Sequence, residues 1–305
     1  LQMKDSEYHI PVLLHVATDA LINKPNGSYV DVTFGGGGHS KFILENLENG
    51  RLLALDQDED AFENSIEDSR FQLVRQNFRN LENVLQALQY GKVDGILADL
   101  GVSSHQFDDS RRGFSFRFDS KLDMRMNVDA DKSAYHIVNG YEEERLREVF
   151  MSFGEFTKKE ATRLTSHIIS KRDSQNIETT LELRNCIDFL VPEKVRNQFL
   201  ARVFQAIRIE VNEEMSALID FLNQIPMCLK PEGVAVIITY HSLEDRLVKN
   251  FFKSGNVHGV LDKDFYGVVS KPMNAINKKP IIPDLEEIKV NPRARSAKLR
   301  IAKMN

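Results

Sequence analysis

Four consecutive glycines, Gly35 to Gly38, and an aspartate about twenty positions later, Asp56, are the residues whose types and spacing first suggest chemistry. A glycine turn strips every Cβ from the backbone, so a ligand can lie directly against it. A helix that follows such a turn points unpaired N–H groups at the same ligand. An acidic residue ending the next strand is where a doubly wound sheet meets a ribose hydroxyl. Glycines alone would suit a plain surface loop, whereas the pair predicts a nucleotide-like cofactor.

Elements of the right kind surround these residues. Val30, Val32 and Thr33 form a β-branched run that stops at the glycines, and Ser40 opens a segment with apolar residues at Phe42, Ile43 and Leu47. Strand-like runs recur at Arg51–Asp56, Phe71–Val74 and Val93–Leu100, with helical spacing of Leu81, Val84, Leu85 and Leu88 before the last. Strand alternating with helix predicts a parallel α/β sheet. Ahead of it, a lead-in from Ile10 and a helix with Leu13, Val16, Ala17 and Leu21 on one face should cover an edge of the sheet.

The alternation breaks near Phe107. A charged, aromatic stretch, Arg111-Arg-Gly-Phe-Ser-Phe-Arg-Phe, gives way to helical patterns only, with capping-box spacing at Thr157/Glu160 and Thr179/Glu182. This predicts an all-helical insertion over 107–208, between sheet segments 1–106 and 209–305. Ile207, Val211, Met215, Leu218, Ile219 and Leu222 share one helical face leading back to the sheet. Lys230-Pro-Glu-Gly then turns into a buried strand, Val234 to Tyr240, followed by His241-Ser-Leu-Glu-Asp-Arg and a helix. The alternation in Ser296-Ala-Lys-Leu-Arg-Ile-Ala-Lys suits a half-exposed edge strand.

Composition narrows the class. With 42% hydrophobic and 28% charged residues over 305 positions, the chain can bury a large core, and no apolar run reaches membrane-spanning length. Leu1-Gln2 ahead of Met3 reads as an added leader without a signal-peptide pattern, so a cytoplasmic location is expected. A net charge of −5 disfavours a general nucleic-acid coat protein, although a local basic patch remains compatible with it. Cys186 and Cys228 stand alone in helix-like contexts, which supports neither disulfides nor a metal site.

Two cofactor classes compete for this fold. A nicotinamide site wants G-x-G-x-x-G, and Gly35-Gly-Gly-Gly-His lacks the last glycine. S-adenosyl-L-methionine enzymes use a looser first turn, an acid after the second strand and an antiparallel last strand. The order of elements favours a Rossmann-like class I S-adenosylmethionine-dependent methyltransferase fold with an inserted helical domain.

Seven motifs in order then resemble the bacterial 16S ribosomal RNA cytosine-N4 methyltransferase family, also called MraW, from about His9 to the C-terminus. They are Thr33-Phe-Gly-Gly-Gly-Gly-His-Ser, Asp99-Leu-Gly-Val-Ser-Ser, Arg112-Gly-Phe-Ser-Phe, Leu122-Asp-Met-Arg-Met, Phe204-Gln-Ala-Ile-Arg-Ile, His241-Ser-Leu-Glu-Asp-Arg and Asn291-Pro-Arg-Ala-Arg-Ser. The resemblance implies methyl transfer from S-adenosyl-L-methionine to the exocyclic amine of a cytidine in the decoding centre (P site) of 16S rRNA. It also implies cofactor contacts at Gly37, Gly38 and His39, at Asp56 on the ribose, at Phe78 near the adenine, and at Asp99 and Gln106 around the methionine end. Phe78 would serve equally as core packing. For the amine chemistry, Asp99, Ser103, Ser104 and His241 are the candidates, because the Pro-Pro-aromatic motif of many amino-methyltransferases is absent here.

The expected partner is 16S rRNA in the small ribosomal subunit, with no membrane and with a homodimer as one conceivable assembly. Six basic and no acidic residues from Lys289 onward, and Arg111, Arg112, Arg117 and Arg125 interleaved with Phe114, Phe116 and Phe118, are two candidate RNA surfaces. The phenylalanines would serve equally as the core where the insertion joins. Alternatives in other classes are a methyltransferase of another nucleic acid or a small molecule, and a non-catalytic RNA-binding protein on this fold.

Overall fold

The computed structural model describes residues 11–262, 266–267 and 270–305; His9, Ile10 and the residues before them lie outside the described residues. Two compact units emerge, one from residues up to Gly101 together with Ser216 onward, the other from Val102 to Met215. The helical unit thus starts before and ends after the 107–208 span read from sequence.

The first part of the sheet unit runs α1 (Leu14–Leu21), β1 (Ser28–Asp31), α2 (Gly38–Glu45), β2 (Arg51–Asp56), β3 (Phe71–Arg75), α3 (Leu81–Ala87) and β4 (Val93–Asp99). The helical unit follows with α4 (Ser104–Asp108), α5 (Ala134–Gly140), α6 (Glu143–Phe153), α7 (Lys158–Ser174), α8 (Thr180–Ile187) and α9 (Glu193–Asn212). The chain then forms α10 (Glu214–Cys228), β5 (Leu229–Thr239), α11 (Ser242–Ser254), β6 (Met273–Ala275), α12 (Leu285–Val290) and β7 (Lys298–Met304).

The strands lie in the order β3-β2-β1-β4-β5-β7-β6. The first five are parallel, and β7 runs antiparallel to both β5 and β6. Side chains alternate between two cores: Ile96, Ala98, Ala235 and Ile237 join one face, Leu97, Val234, Val236 and Ile238 the other. Covering both faces is what parallel strands require, and it explains why β4 and β5 read as continuous apolar runs.

Several expectations need correction. β7 is interior, not an edge: short β6 pairs along it, and Leu299 to Ala302 are buried. A three-residue strand carries too little period to be seen in sequence. Helix α1 packs over β4 and β5 in the middle of the sheet, not over an edge, which leaves Val16 39% exposed. The helical face from Ile207 to Leu222 is broken at Glu213, whose φ of 52° separates α9 from α10. Beside the break, Arg208 grips Glu214 through two bonds of 2.7 and 2.8 Å. The Lys230-Pro-Glu-Gly turn lies within the span of β5, looping out between the pairs Val93–Leu229 and Gly95–Val234.

The helical unit has its own core, including Leu146, Phe150, Leu164, Ile168, Leu183 and Phe204. Thr157/Glu160 and Thr179/Glu182 form the reciprocal caps of α7 and α8 that their spacing predicts. Each cap supplies partners to backbone N–H groups that a helix start otherwise leaves unsatisfied.

Candidate active site

The strand order reverses between β1 and β4, and ligands of open α/β sheets bind at the carboxyl ends of strands beside such a switch point. The glycine turn, Asp56 and Asp99 all stand at those ends. Gly37 caps α2 in the left-handed region at φ 76°, and a Cβ there would strike the Phe34 ring at 2.8 Å. A Cβ on Gly38 would run into Pro11. At Gly36, by contrast, a Cβ would meet nothing within 4 Å. The bare face of the turn is therefore at Gly36, a residue the sequence reading passed over in favour of Gly37, Gly38 and His39.

Asp56 closes β2 and braces this turn: its carboxylate accepts from Gly35 N at 2.7 Å and from Asp58 N at 2.9 Å. Burial raises its pKa to about 6, against the pull of those two bonds. A carboxylate offers about four acceptor positions, so two remain for a ribose diol.

Asp99 closes β4 and has 22% side-chain exposure. Its Oδ1 accepts from the Tyr240 hydroxyl at 2.7 Å, its backbone N–H donates to Thr33 Oγ1 at 2.6 Å, and its Oδ2 lies 3.7 Å from His39 Nδ1. Burial raises the Asp99 pKa to about 7; the Tyr240 bond opposes the shift and the nearby Glu244 adds to it. The Tyr240 hydroxyl is pushed well above its usual pKa by burial and by Asp99, so it remains a donor.

His39 is itself buried, with Nε2 3.1 Å from Val12 O. A carbonyl can only accept, so Nε2 carries the proton, and the neutral ring turns its bare Nδ1 toward Asp99. Burial lowers the His39 pKa, which keeps the ring neutral. Behind it, buried Asp31 at the end of β1 accepts from Ser40 Oγ at 2.7 Å and Thr33 N at 3.1 Å, and burial raises its pKa.

The other anticipated residues are committed locally. Phe78 follows β3, half-buried, with its ring 5.4 Å from Phe221 and edge-on to it. Ser103 and Gln106 belong to the helical unit and form a reciprocal cap at the start of α4; Ser104 is the first residue of that helix. His241 caps α11, with Nδ1 accepting from Glu244 N at 3.5 Å and Nε2 3.1 Å from Glu244 Oε1. Asp31 and Tyr240 are the members of this network that sequence reasoning missed. Asp31 carried a signal, an acid closing a β-branched strand, while Tyr240 reaches Asp99 only through the fold.

Of the basic residues near the C-terminus, Arg300 is buried and bound to Asp245 at 2.6 and 3.2 Å, and Lys303 pairs with Glu232. Neither is a free surface cation. In the helical unit, Phe114 belongs to the core and Phe116 packs against Phe204. Arg112 and Arg125 bind backbone carbonyls of their own loop. Phe118, Arg111 and Arg117 remain exposed there.

A parallel sheet closed by an antiparallel strand in this order, with the glycine turn and strand-end acids at the switch point, defines a class I methyltransferase whose methyl donor is S-adenosyl-L-methionine. The open space over Gly36, the spare acceptor positions of Asp56 and a partly exposed carboxyl at Asp99 suited to a cation fit that donor. The chain belongs to the MraW methylase family, whose model matches residues 6–305. It is 55% identical over 303 residues to "Ribosomal RNA small subunit methyltransferase H" of Bacteroides fragilis (strain YCH46), covering 98% of this chain and 99% of that one. The protein of the same name in Flavobacterium johnsoniae is 56% identical over 297 residues, 97% of each chain. No helix among the described residues is long and apolar enough to cross a membrane.

Proposed function

We propose that the protein methylates the exocyclic N4 of one cytidine in the decoding centre of 16S rRNA. The carrying observation is the Asp99–Tyr240 pair at the switch point, in a chain whose near full-length relatives bear a small-subunit rRNA methyltransferase name. When bound, S-adenosyl-L-methionine supplies a methyl group on a positively charged sulfur. Asp56 accepts from the ribose hydroxyls, Gly36 lets the cofactor lie against the turn, and Asp99 pairs with the methionine ammonium. Tyr240 holds the Asp99 carboxylate in place by donating to it.

Transfer to the amine rather than to a ring carbon is supported by the cysteines. Burial pushes both thiols up to about 12, so neither is a thiolate nucleophile near neutral pH. The N4 lone pair is delocalised into the ring, so positioning in line with the methyl carries most of the catalysis. The methylated nitrogen is acidic for the same reason and loses its proton readily to a carboxylate or water. A strong base is therefore unnecessary, in keeping with Ser103 and His241 being held in helix caps. The helical unit serves RNA recognition in this reading, with Arg111, Arg117 and Phe118 exposed.

The test is methyl transfer from labelled cofactor to small ribosomal subunits of cells lacking the activity, with mass spectrometry of the digested RNA. N4-methylcytidine is the expected product. Label on another base would redirect the assignment, and unlabelled RNA would end it.

A further inference from the structure

A cavity of about 320 Å³ opens in the sheet unit at the carboxyl end of β5, where Thr239 pairs with Lys298. That volume is at the small end of the roughly 300–1,000 Å³ typical of ligand sites. Tyr240, the donor to Asp99, forms one wall, and Ile282, Pro283, Arg295, Ser296 and Lys298 form others. Three properties set the cavity apart. Tyr240, which lines it, is also the residue that donates to Asp99. Ile282 is 64% exposed at its rim, an apolar surface that nothing in this unit covers. The side chains of Arg295 and Ser296 are exposed and have no hydrogen-bond or ionic partner among the described residues, whereas neighbouring Arg300 is engaged with Asp245.

We propose that this cavity seats the nucleotide that is methylated, with the base against Tyr240 and the Ile282–Pro283 rim and its phosphate on Arg295 and Ser296 Oγ, beside Lys298, whose ammonium pairs with Asp245 at 3.6 Å. An amine in this cavity can approach the methyl donor from the β4–β5–β7 half of the sheet, while the glycine turn and Asp56 hold the donor on the β1–β2 half. A cation and a hydroxyl with free donors beside an apolar wall match a phosphate joined to a flat base. The surrounding segment from Lys289 onward has no acidic residue in a chain of net charge −5, which favours a polyanion over a protein partner. The target base lies within folded RNA, so it reaches the cavity by being turned out of its stack.

The proposal rests on the RNA methyltransferase reading, and one experiment separates the two. Methylation of small subunits is measured for the wild type and for Arg295→Ala, Arg295→Lys and Ile282→Asp, with cofactor affinity followed by calorimetry as a check on folding. Arg295→Ala should raise KM for the subunit about tenfold, a typical loss for one charge-assisted contact. kcat should stay within about twofold, and the dependence of log kcat/KM on log salt should become shallower by about 1, which Arg295→Lys restores. A photoreactive benzophenone side chain at position 282 should cross-link to the methylated nucleotide or its immediate neighbours. A wild type that labels no RNA refutes the reading of function. A wild type that methylates cytidine, together with an unchanged KM and salt slope in Arg295→Ala and Ile282→Asp or cross-links remote from the target base, refutes the cavity assignment.

Discussion

Asp99 faces two demands: it must be ionised to hold a cation, and it sits where burial keeps it protonated up to about pH 7. Binding the donor's ammonium therefore costs proton release at lower pH. Cofactor affinity, measured by calorimetry, should fall about tenfold per pH unit below about 7 and level off above it. Tyr240→Phe removes a bond that favours the carboxylate, so the midpoint of that pH profile should move upward. Asp99→Asn tests the same conflict from the side of stability. Burial raises the folded-state pKa above the ordinary carboxylate range of about 4, so the native protein binds the extra proton between about pH 4 and 7, and this stabilising contribution is lost as pH rises through about 7. At pH 8 the unliganded Asn variant should be more stable to urea than the wild type, by about 1 kcal/mol or more, with cofactor binding lost. Asp56 and Asp99 were legible because an acid closing an apolar strand stands out. Tyr240 was not, since its bond to Asp99 spans 141 positions and no local pattern announces it.

The elements show the same division between local and distant causes. The caps at Thr157 and Thr179 were readable because each is completed within four residues. Interior β7 was not, because its neighbour β6 has three residues and its alternation hides a buried charge. Arg300 occupies a position that sequence alone suggests is solvent-facing, yet it is 6% exposed and held by Asp245 from α11. Removing Arg300 leaves Asp245 mostly buried with only the partly exposed Lys298, 3.6 Å away, to offset its charge. Arg300→Ala should therefore destabilise the protein by about 2–3 kcal/mol in chemical denaturation, short of the loss for a fully unpaired buried charge, in contrast to Arg295→Ala, which should leave stability within about 0.5 kcal/mol. The break at Glu213 was invisible for a related reason: apolar spacing continues across it, and only the left-handed backbone and the Arg208–Glu214 bonds mark the corner.

For the molecule as a whole, the insertion separates the two central strands of the sheet in the chain. Val93 of β4 pairs with Leu229 of β5, about 136 residues apart, whereas in the helical unit α6 packs on the adjacent α7 and on α9, all within the insertion itself. Pulsed hydrogen exchange during refolding should find amides of α6, α7 and α9 protected before those of β4 and β5. The same arrangement has a meaning in time during synthesis. At about 5–20 residues per second, β4 leaves the ribosome on the order of ten seconds before β5 can lie beside it. For that interval a strand that is apolar on both faces has one open edge. The nascent chain is most vulnerable to aggregation then, and a chaperone that shields Val93 to Asp99 until Val234 to Thr239 arrives would raise the yield of native enzyme.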